Sequence, residues 1–291
     1  TNSHSNGHTI SEGNLRITNS NYWRGLLGTH GVSSGKWYYE IKKVNDAQYM
    51  YVGWGNSNNG ALDIPENLGD VIQAVAGFRF SAALKSDGTV EAWGNNDSGQ
   101  TDVPIGLSDV MQISTYNRTV LALKTDGTIV AWGSNNHGQT DFPENLTNVV
   151  KVASGTNHSL VLKSDGTVEA WGSNNYGQTD VPEGLTNVID ISCGNAHSIA
   201  LKSDGTIVSW GEYCASNGYC FGNANVNDSE YEGFIAIAGG GPTTFGLYSD
   251  GTLVGLSGEG YQGEAMLNLP NDQDINPGMC SAAALTLNSS A

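Results

Sequence analysis

The sequence predicts an all-β chain folded as a seven-bladed β-propeller, and three observations carry that prediction. A unit of 39 residues recurs along the chain, each unit offers three or four short strand-like segments, and the two chain ends together supply about one more unit.

The repeat is visible at several positions at once. Trp-Gly pairs begin at Trp54, Trp93, Trp132, Trp171 and Trp210, each 39 residues after the last. Pro65, Pro104, Pro143 and Pro182 keep the same step, as do Asp87, Asp126, Asp165 and Asp204 in Ser/Thr-Asp-Gly-Thr. Near-identical lines start at residues 71, 110, 149 and 188. A degenerate fifth begins at Phe234, and its Asp250 lies 46 residues after Asp204. The fourth unit therefore carries a seven-residue insertion, within "GEYCASNGYCFGNANVNDSE" at 211–230.

Within a unit the elements follow in order. "VVKVASG" (149–155) reads as a first strand of mixed apolar and polar residues, and "HSLVLK" (158–163) as a second. Asp-Gly between that strand and "TVEAWG" (167–172) is a strong hairpin signal, because Gly accepts a positive φ. A further strand near "QTDVP" (178–182) would close the unit, with Pro tolerated at an edge. Leu160, Val161 and Leu162 are apolar on both faces of their strand, as a blade packed between two neighbours requires.

Phase fixes the rest of the chain as a single propeller over 1–291. Residues 71–272 hold five blades, 32–70 a diverged first blade, and 273–291 two strands of a closing blade. The missing half of that blade is expected at 10–31, where "SEGNLRITNSN" mirrors "SDGTVEAWGSN". Sharing one blade between the two ends leaves no open sheet edge in the ring. Six blades plus an N-terminal β appendage is the alternative.

Composition narrows the partners. There are 29 Asp and Glu against 12 Lys and Arg, a net charge of −17, and only 14% of residues are charged. Such a chain lacks the cations that displace counterions from a phosphate backbone, which argues against nucleic acid and against anionic membranes. No apolar run approaches the roughly 20 residues that span a bilayer, so no membrane insertion is expected. The chain begins at Thr1, which suggests processing or excision from a longer protein. Of the four cysteines, Cys214 and Cys220 enclose a short loop and are candidates for a bridge in an oxidising compartment, or else remain two free thiols. No Cys-x-x-Cys pair is present for zinc, and no cofactor is expected.

The line "HSLVLKSDGTVEAWGSNNYGQTDVP" resembles the regulator-of-chromosome-condensation family of seven-bladed propellers. It is most similar to short bacterial members with Gly-Gln-Thr-x-Val-Pro, a group that includes β-lactamase-inhibitory propellers. The resemblance implies protein recognition through one propeller face and no shared catalytic centre, so the chain is expected not to be an enzyme. Its acidity departs from the chromatin-binding members and removes the basis for a nucleosome role. The segment "EGNLRITNSNYWRGLLGTHGVSSGKWYYEIKKV" (12–44) resembles the opening of a SPRY domain, as found in structural proteins of marine bacteriophages. Together these imply a virion surface or tail-associated phage protein that binds protein or a surface glycan. A secreted bacterial, inhibitor-like protein binder is the alternative.

Repetition constrains what the side chains can do. His158 and His197 occupy equivalent positions, so each is expected to bond within its own blade's turn rather than to act as a base. The Ser-Asp-Gly aspartates read as turn caps, since one Asp per loop cannot supply a calcium shell. Asp63, Asp102, Asp141 and Asp180 form a second series, either an acidic arc or a set of local hydrogen bonds. The repeated tryptophans read as core between blades, each indole N–H needing a carbonyl.

Function is expected where the repeats disagree. The turn before the second strand reads "GFRFS", then "TYNRT", against "GTNHS" and "GNAHS" elsewhere. Phe78, Arg79, Phe80, Tyr116, Asn117 and Arg118 are therefore candidate exposed anchors on one rim, repeat drift being the alternative. Tyr213, Tyr219 and Phe221 in the insertion are a second candidate group.

Overall fold

The computed structural model describes residues 3–4, 8–11, 14–16, 64–66, 68–211, 213–214, 220–221, 232–240, 243–250 and 252–256. The chain divides into two units, Thr1–Tyr51 and Val52–Ala291. In the first, β1 (Ser3–His4), β2 (His8–Ser11) and β3 (Asn14–Arg16) form one antiparallel sheet. The expected closing strands at 273–291, and most of the proposed first blade at 32–70, lie outside the described residues.

Among its described residues the second unit holds five successive three-stranded antiparallel sheets, an all-β arrangement consistent with propeller blades. They are β4 (Val71–Gly77), β5 (Phe80–Lys85) and β6 (Val90–Gly94); β7 (Val110–Thr115), β8 (Thr119–Lys124) and β9 (Ile129–Gly133); and β10 (Val149–Ser154), β11 (His158–Lys163) and β12 (Val168–Gly172). The fourth holds β13 (Val188–Cys193), β14 (Ser198–Lys202) and β15 (Ile207–Trp210). A two-stranded hairpin, β16 (Tyr213–Cys214) and β17 (Cys220–Phe221), precedes the last sheet, β18 (Phe234–Gly240), β19 (Thr243–Tyr248) and β20 (Leu253–Leu256).

The core lies between sheets rather than within them. Leu160 and Leu162 pack with Ile191, Ala200 and Trp210 of the following sheet. Val161, pointing the other way, packs with Leu121, Leu123 and Val152 on the side of the preceding sheet. Strand alternation thus assigns successive residues to opposite neighbours, which explains the unbroken apolar run. Each such side chain contributes about 1.5–3 kcal/mol by its burial.

The sheets also meet through polar side chains at their inner edges. Gln73 Nε2 donates to Ile113 O (2.8 Å) while its Oε1 accepts from Ile113 N (2.8 Å), so one amide replaces a missing strand partner. Gln112 repeats this with Val152 at 3.2 and 3.0 Å, and the next residue of the series, Lys151, pairs with Asp190. An edge that would otherwise present unpaired backbone groups is thereby satisfied.

Turn chemistry accounts for the punctuation. Asp165 Oδ1 accepts from Thr167 N (3.0 Å) and Thr167 Oγ1 (2.6 Å), and Asp87, Asp126 and Asp204 do the same in their units. Those bonds, with the threonine hydroxyl foremost, hold the four carboxyls below the usual carboxylate range. The glycine of Trp-Gly has a sterically fixed role. A Cβ on Gly133 (φ +95°) would fall 2.2 Å from Arg118 O. One expectation fails here: among the described residues no strand forms along 100–104, 139–143 or 178–182, where turns and irregular backbone run instead. Proline cannot donate to a ladder, and the loop is held by side chains, as described next.

Candidate functional site

Phe78, Arg79 and Arg118 converge at the C-terminal ends of the first strands of the first two sheets. Phe78 N donates to Asn117 O across the sheet boundary at 2.6 Å. The Arg79 guanidinium lies 4.8 Å from the Phe78 ring centroid and that of Arg118 lies 5.3 Å from it. Two cations from adjacent sheets therefore share one aromatic ring. Arg118 Nη1 also reaches Ser98 Oγ at 3.4 Å, and Arg79 is exposed with φ +66°, a conformation a non-glycine residue rarely adopts. No other arginine occurs after Arg24, so this acidic chain concentrates its remaining guanidinium groups at one spot.

Two of the expected anchors are placed differently. Phe80 is 1% exposed, part of the core between the first two sheets, with its ring against Gly77. It begins the second strand and is buried, as Thr119 and His158 are in their units, and His197, directly before β14, is buried likewise. Tyr116 is 8% exposed, and its hydroxyl donates to Asn195 Oδ1 at 2.5 Å, two units further along the chain. Thr156 Oγ1 meets the same Asn195 oxygen at 3.4 Å, so three turns are tied together at this end of the strands. Asn117 is half-buried and serves through its backbone carbonyl. Of the insertion, Tyr213 and Phe221 are Cα partners across β16 and β17, as are Cys214 and Cys220. Tyr219 lies outside the described residues.

The histidines bridge units rather than serving their own turns. His158 Nε2 lies 3.1 Å from Ser198 Oγ, and His197 Nε2 lies 3.1 Å from Thr244 Oγ1, each partner being in the next sheet. Ser198 gives its only proton to Gln178 O at 2.7 Å, which makes His158 Nε2–H the donor and Ser198 the acceptor. Burial pushes His158 down to about 3, aided by the neighbouring His197, and burial alone pushes His197 down to about 4. A histidine this reluctant to take a proton, facing a hydroxyl already committed to a carbonyl and sealed from solvent, is not a general base for Ser198.

A loop module missed by sequence reasoning explains the recurring Gly-Gln-Thr-Asp. Gln139 is buried, and its Oε1 accepts from His137 N (2.9 Å) to close its own loop. Its backbone carbonyl accepts from Trp171 Nε1 (2.9 Å) and Ser159 Oγ (2.8 Å) of the following unit. Gln100 receives Trp132 in the same way at 3.1 Å. The second acidic series completes the loop: Asp102, Asp141 and Asp180 accept from Asn96, Asn135 and Asn174 at 2.7 Å. Local hydrogen bonding occupies these three aspartates, and Asp63 lies outside the described residues. Among the described residues no three His, Cys, Asp or Glu are placed to hold a metal.

Residues 71–100, 110–139, 149–178 and 188–227 match the regulator of chromosome condensation (RCC1) repeat. The chain therefore carries four RCC1-type repeats, folded as sheets consistent with propeller blades. Two solved structures agree in fold. Prp20p from Saccharomyces cerevisiae, described with its binding to Gsp1p and histones, is 21% identical over 78% of this chain and 67% of its own, with a TM-score of 0.54. The entire ectodomain of the Physcomitrella patens receptor kinase CR4 is 19% identical over 70% of this chain and 56% of its own, with a TM-score of 0.56. Human WBSCR16 is 25% identical over 51% of this chain, with a TM-score of 0.42, and the chain spans about half of it (49%). Comparison with individual curated proteins gave no match.

Proposed function

We propose that this chain is a non-catalytic protein-recognition module that engages its partner through the rim carrying Phe78, Arg79 and Arg118. One observation carries the reading: both arginines of the repeat region stack on one half-buried ring, where no core packing calls for them. Arginine and aromatic side chains held in place before binding are the usual anchors of an interface, because little entropy is lost on contact. Prp20p, which shares the fold, binds Gsp1p and histones, and a protein-binding role is the general use this reading extends to the present chain. No cofactor enters it.

The proposed setting is a virion surface or tail, supported by the phage-like opening at 12–44, with partners in the virion or on a surface glycan. The insertion hairpin bearing Tyr213, Tyr219 and Phe221 belongs to the same reading as a second contact. We further propose that the ring closes at seven blades, the last shared between the chain ends. Quantitative mass spectrometry of purified virions tests the setting: fixed stoichiometry supports it, and absence overturns it in favour of a secreted binder. Arg79→Ala and Arg118→Ala test the rim. Each should weaken partner binding about tenfold or more at unchanged melting temperature. Undiminished binding in the double variant would remove this rim as the site.

A further inference from the structure

At the opposite end of the first strands, the five sheets present an apolar series that the fold itself does not use. Ile72, Met111, Val150, Ile189 and Ile235 are the second residues of β4, β7, β10, β13 and β18, and each is between 46% and 61% exposed. In every sheet the register shifts across this residue, between Val71 and Gln73, Val110 and Gln112, Val149 and Lys151, Val188 and Asp190, and Phe234 and Ala236. A bulge leaves one extra residue unpaired and re-aims its side chain, and here it turns an aliphatic residue outward each time. None of the five joins the hydrophobic clusters between sheets. Consecutive first strands pack on one another, so these equivalent residues follow in order along an arc across the five sheets.

Carboxylates interleave with this arc. The Asp-Gly turn of each unit docks on the residue just before the next unit's exposed aliphatic. Val110 N donates to Gly88 O (3.0 Å), Val188 N to Gly166 O (3.2 Å) and Phe234 N to Gly205 O (3.1 Å). Gly127 approaches Val149 in the same manner. Asp87, Asp126, Asp165 and Asp204 each precede the glycine of such a turn, and Met111, Val150, Ile189 and Ile235 each follow the residue on which it docks, with Asp70 and Asp109 just before β4 and β7. Threonine donors foremost hold all four turn aspartates ionised, aided by the lysine two residues before each, and Lys124 and Lys202 also pair directly with Asp126 and Asp204.

We infer that this arc is a docking surface for a basic, amphipathic segment of another protein, one that sets aliphatic side chains on the five exposed residues and lysine or arginine against the turn aspartates. Charge selects this occupant. A second copy of a chain with net charge −17 would bring carboxylate against carboxylate, and anionic lipid or nucleic acid would meet the same repulsion. The inference rests on the reading of the module as a protein binder but uses the other end of the strands, roughly 20 Å from Arg79.

The probe is a short fluorescent peptide of interspersed lysine and leucine, titrated into the full chain by anisotropy. Control peptides have glutamate for lysine, or serine for leucine. The expected result is binding of the lysine–leucine peptide alone, weakened by added salt and reduced about tenfold by Met111→Ser or Ile189→Ser. Both residues lie outside the core, so unchanged melting curves certify the variants. Arg79→Ala should leave peptide binding intact, which separates this surface from the rim. Three results would overturn the proposal: equal binding of the serine control, indifference to both serine variants, or a dimer in ultracentrifugation that Ile189→Ser dissolves.

Discussion

His158 and His197 make the fold sensitive to acid in a direction their burial dictates. Both are neutral in the native state, with values near 3 and 4, whereas in the unfolded chain an imidazole titrates near 6.5. The unfolded state therefore binds protons first. Their neutrality leaves stability untouched above about pH 7, and stability falls as pH drops below 6.5, until the native values are reached near 4 and 3. At pH 5 the loss is about 2 kcal/mol for each histidine. Urea melts at pH 8 and pH 5 check this, with His158→Thr as the control, since Thr119 already occupies the equivalent position in the second sheet. That variant should lose about one proton's worth of pH dependence between the two conditions. An unaltered dependence would show that His158 is accessible to protons in the folded chain.

Loops reaching across to the next sheet join elements that their own ladders do not connect. Trp171 Nε1 and Ser159 Oγ both end on Gln139 O, while the Gln139 side chain closes its own loop, so this residue couples two sheets. Gln139→Ala strips an acceptor from a backbone N–H in a part-buried loop and leaves a void beside Trp171. It should cost about 1–3 kcal/mol, read as a melting temperature lower by several degrees. Trp171→Phe removes one of two donors to the same carbonyl and should cost less through hydrogen bonding than through the volume it loses. A Gln139→Ala variant that melts with the parent would show that the loop closes without the amide. Strands, Asp-Gly turns and inter-sheet tryptophans were legible in sequence because their signals are local: a two-residue turn, an apolar run, a fixed spacing. Gln139 was not, because its side chain and carbonyl act on different units. The aliphatic arc was hidden for a related reason. Val149 and Val150 read as one apolar pair, and only the bulge separates a buried residue from an exposed one. Phe80 and Tyr116 stood out as departures from the repeat, yet a departure marks a changed environment without saying whether it faces solvent.

Across the whole molecule, stability should depend on how the series of sheets ends. Each described core cluster joins two consecutive sheets, so a terminal sheet is packed on one side only unless something follows it. Such an end exposes apolar residues that interior sheets bury, at about 1.5–3 kcal/mol for each side chain left uncovered. Closure into a ring removes both ends at once, and sharing one blade between the chain termini also pairs the strand edges that an open arc leaves bare. The proposed closure makes the N-terminal residues structural rather than ornamental. Deleting residues 1–20 should then uncover several side chains together and lower the melting temperature by about 10 °C or more, with broadening of the transition as outer sheets unfold before inner ones. Hydrogen exchange on the truncated chain should show protection lost first in the sheets nearest the break and last around β10–β12, which have packed neighbours on both sides. A truncated chain that melts and exchanges like the parent would place residues 1–20 outside the ring and leave six blades with an N-terminal appendage as the architecture.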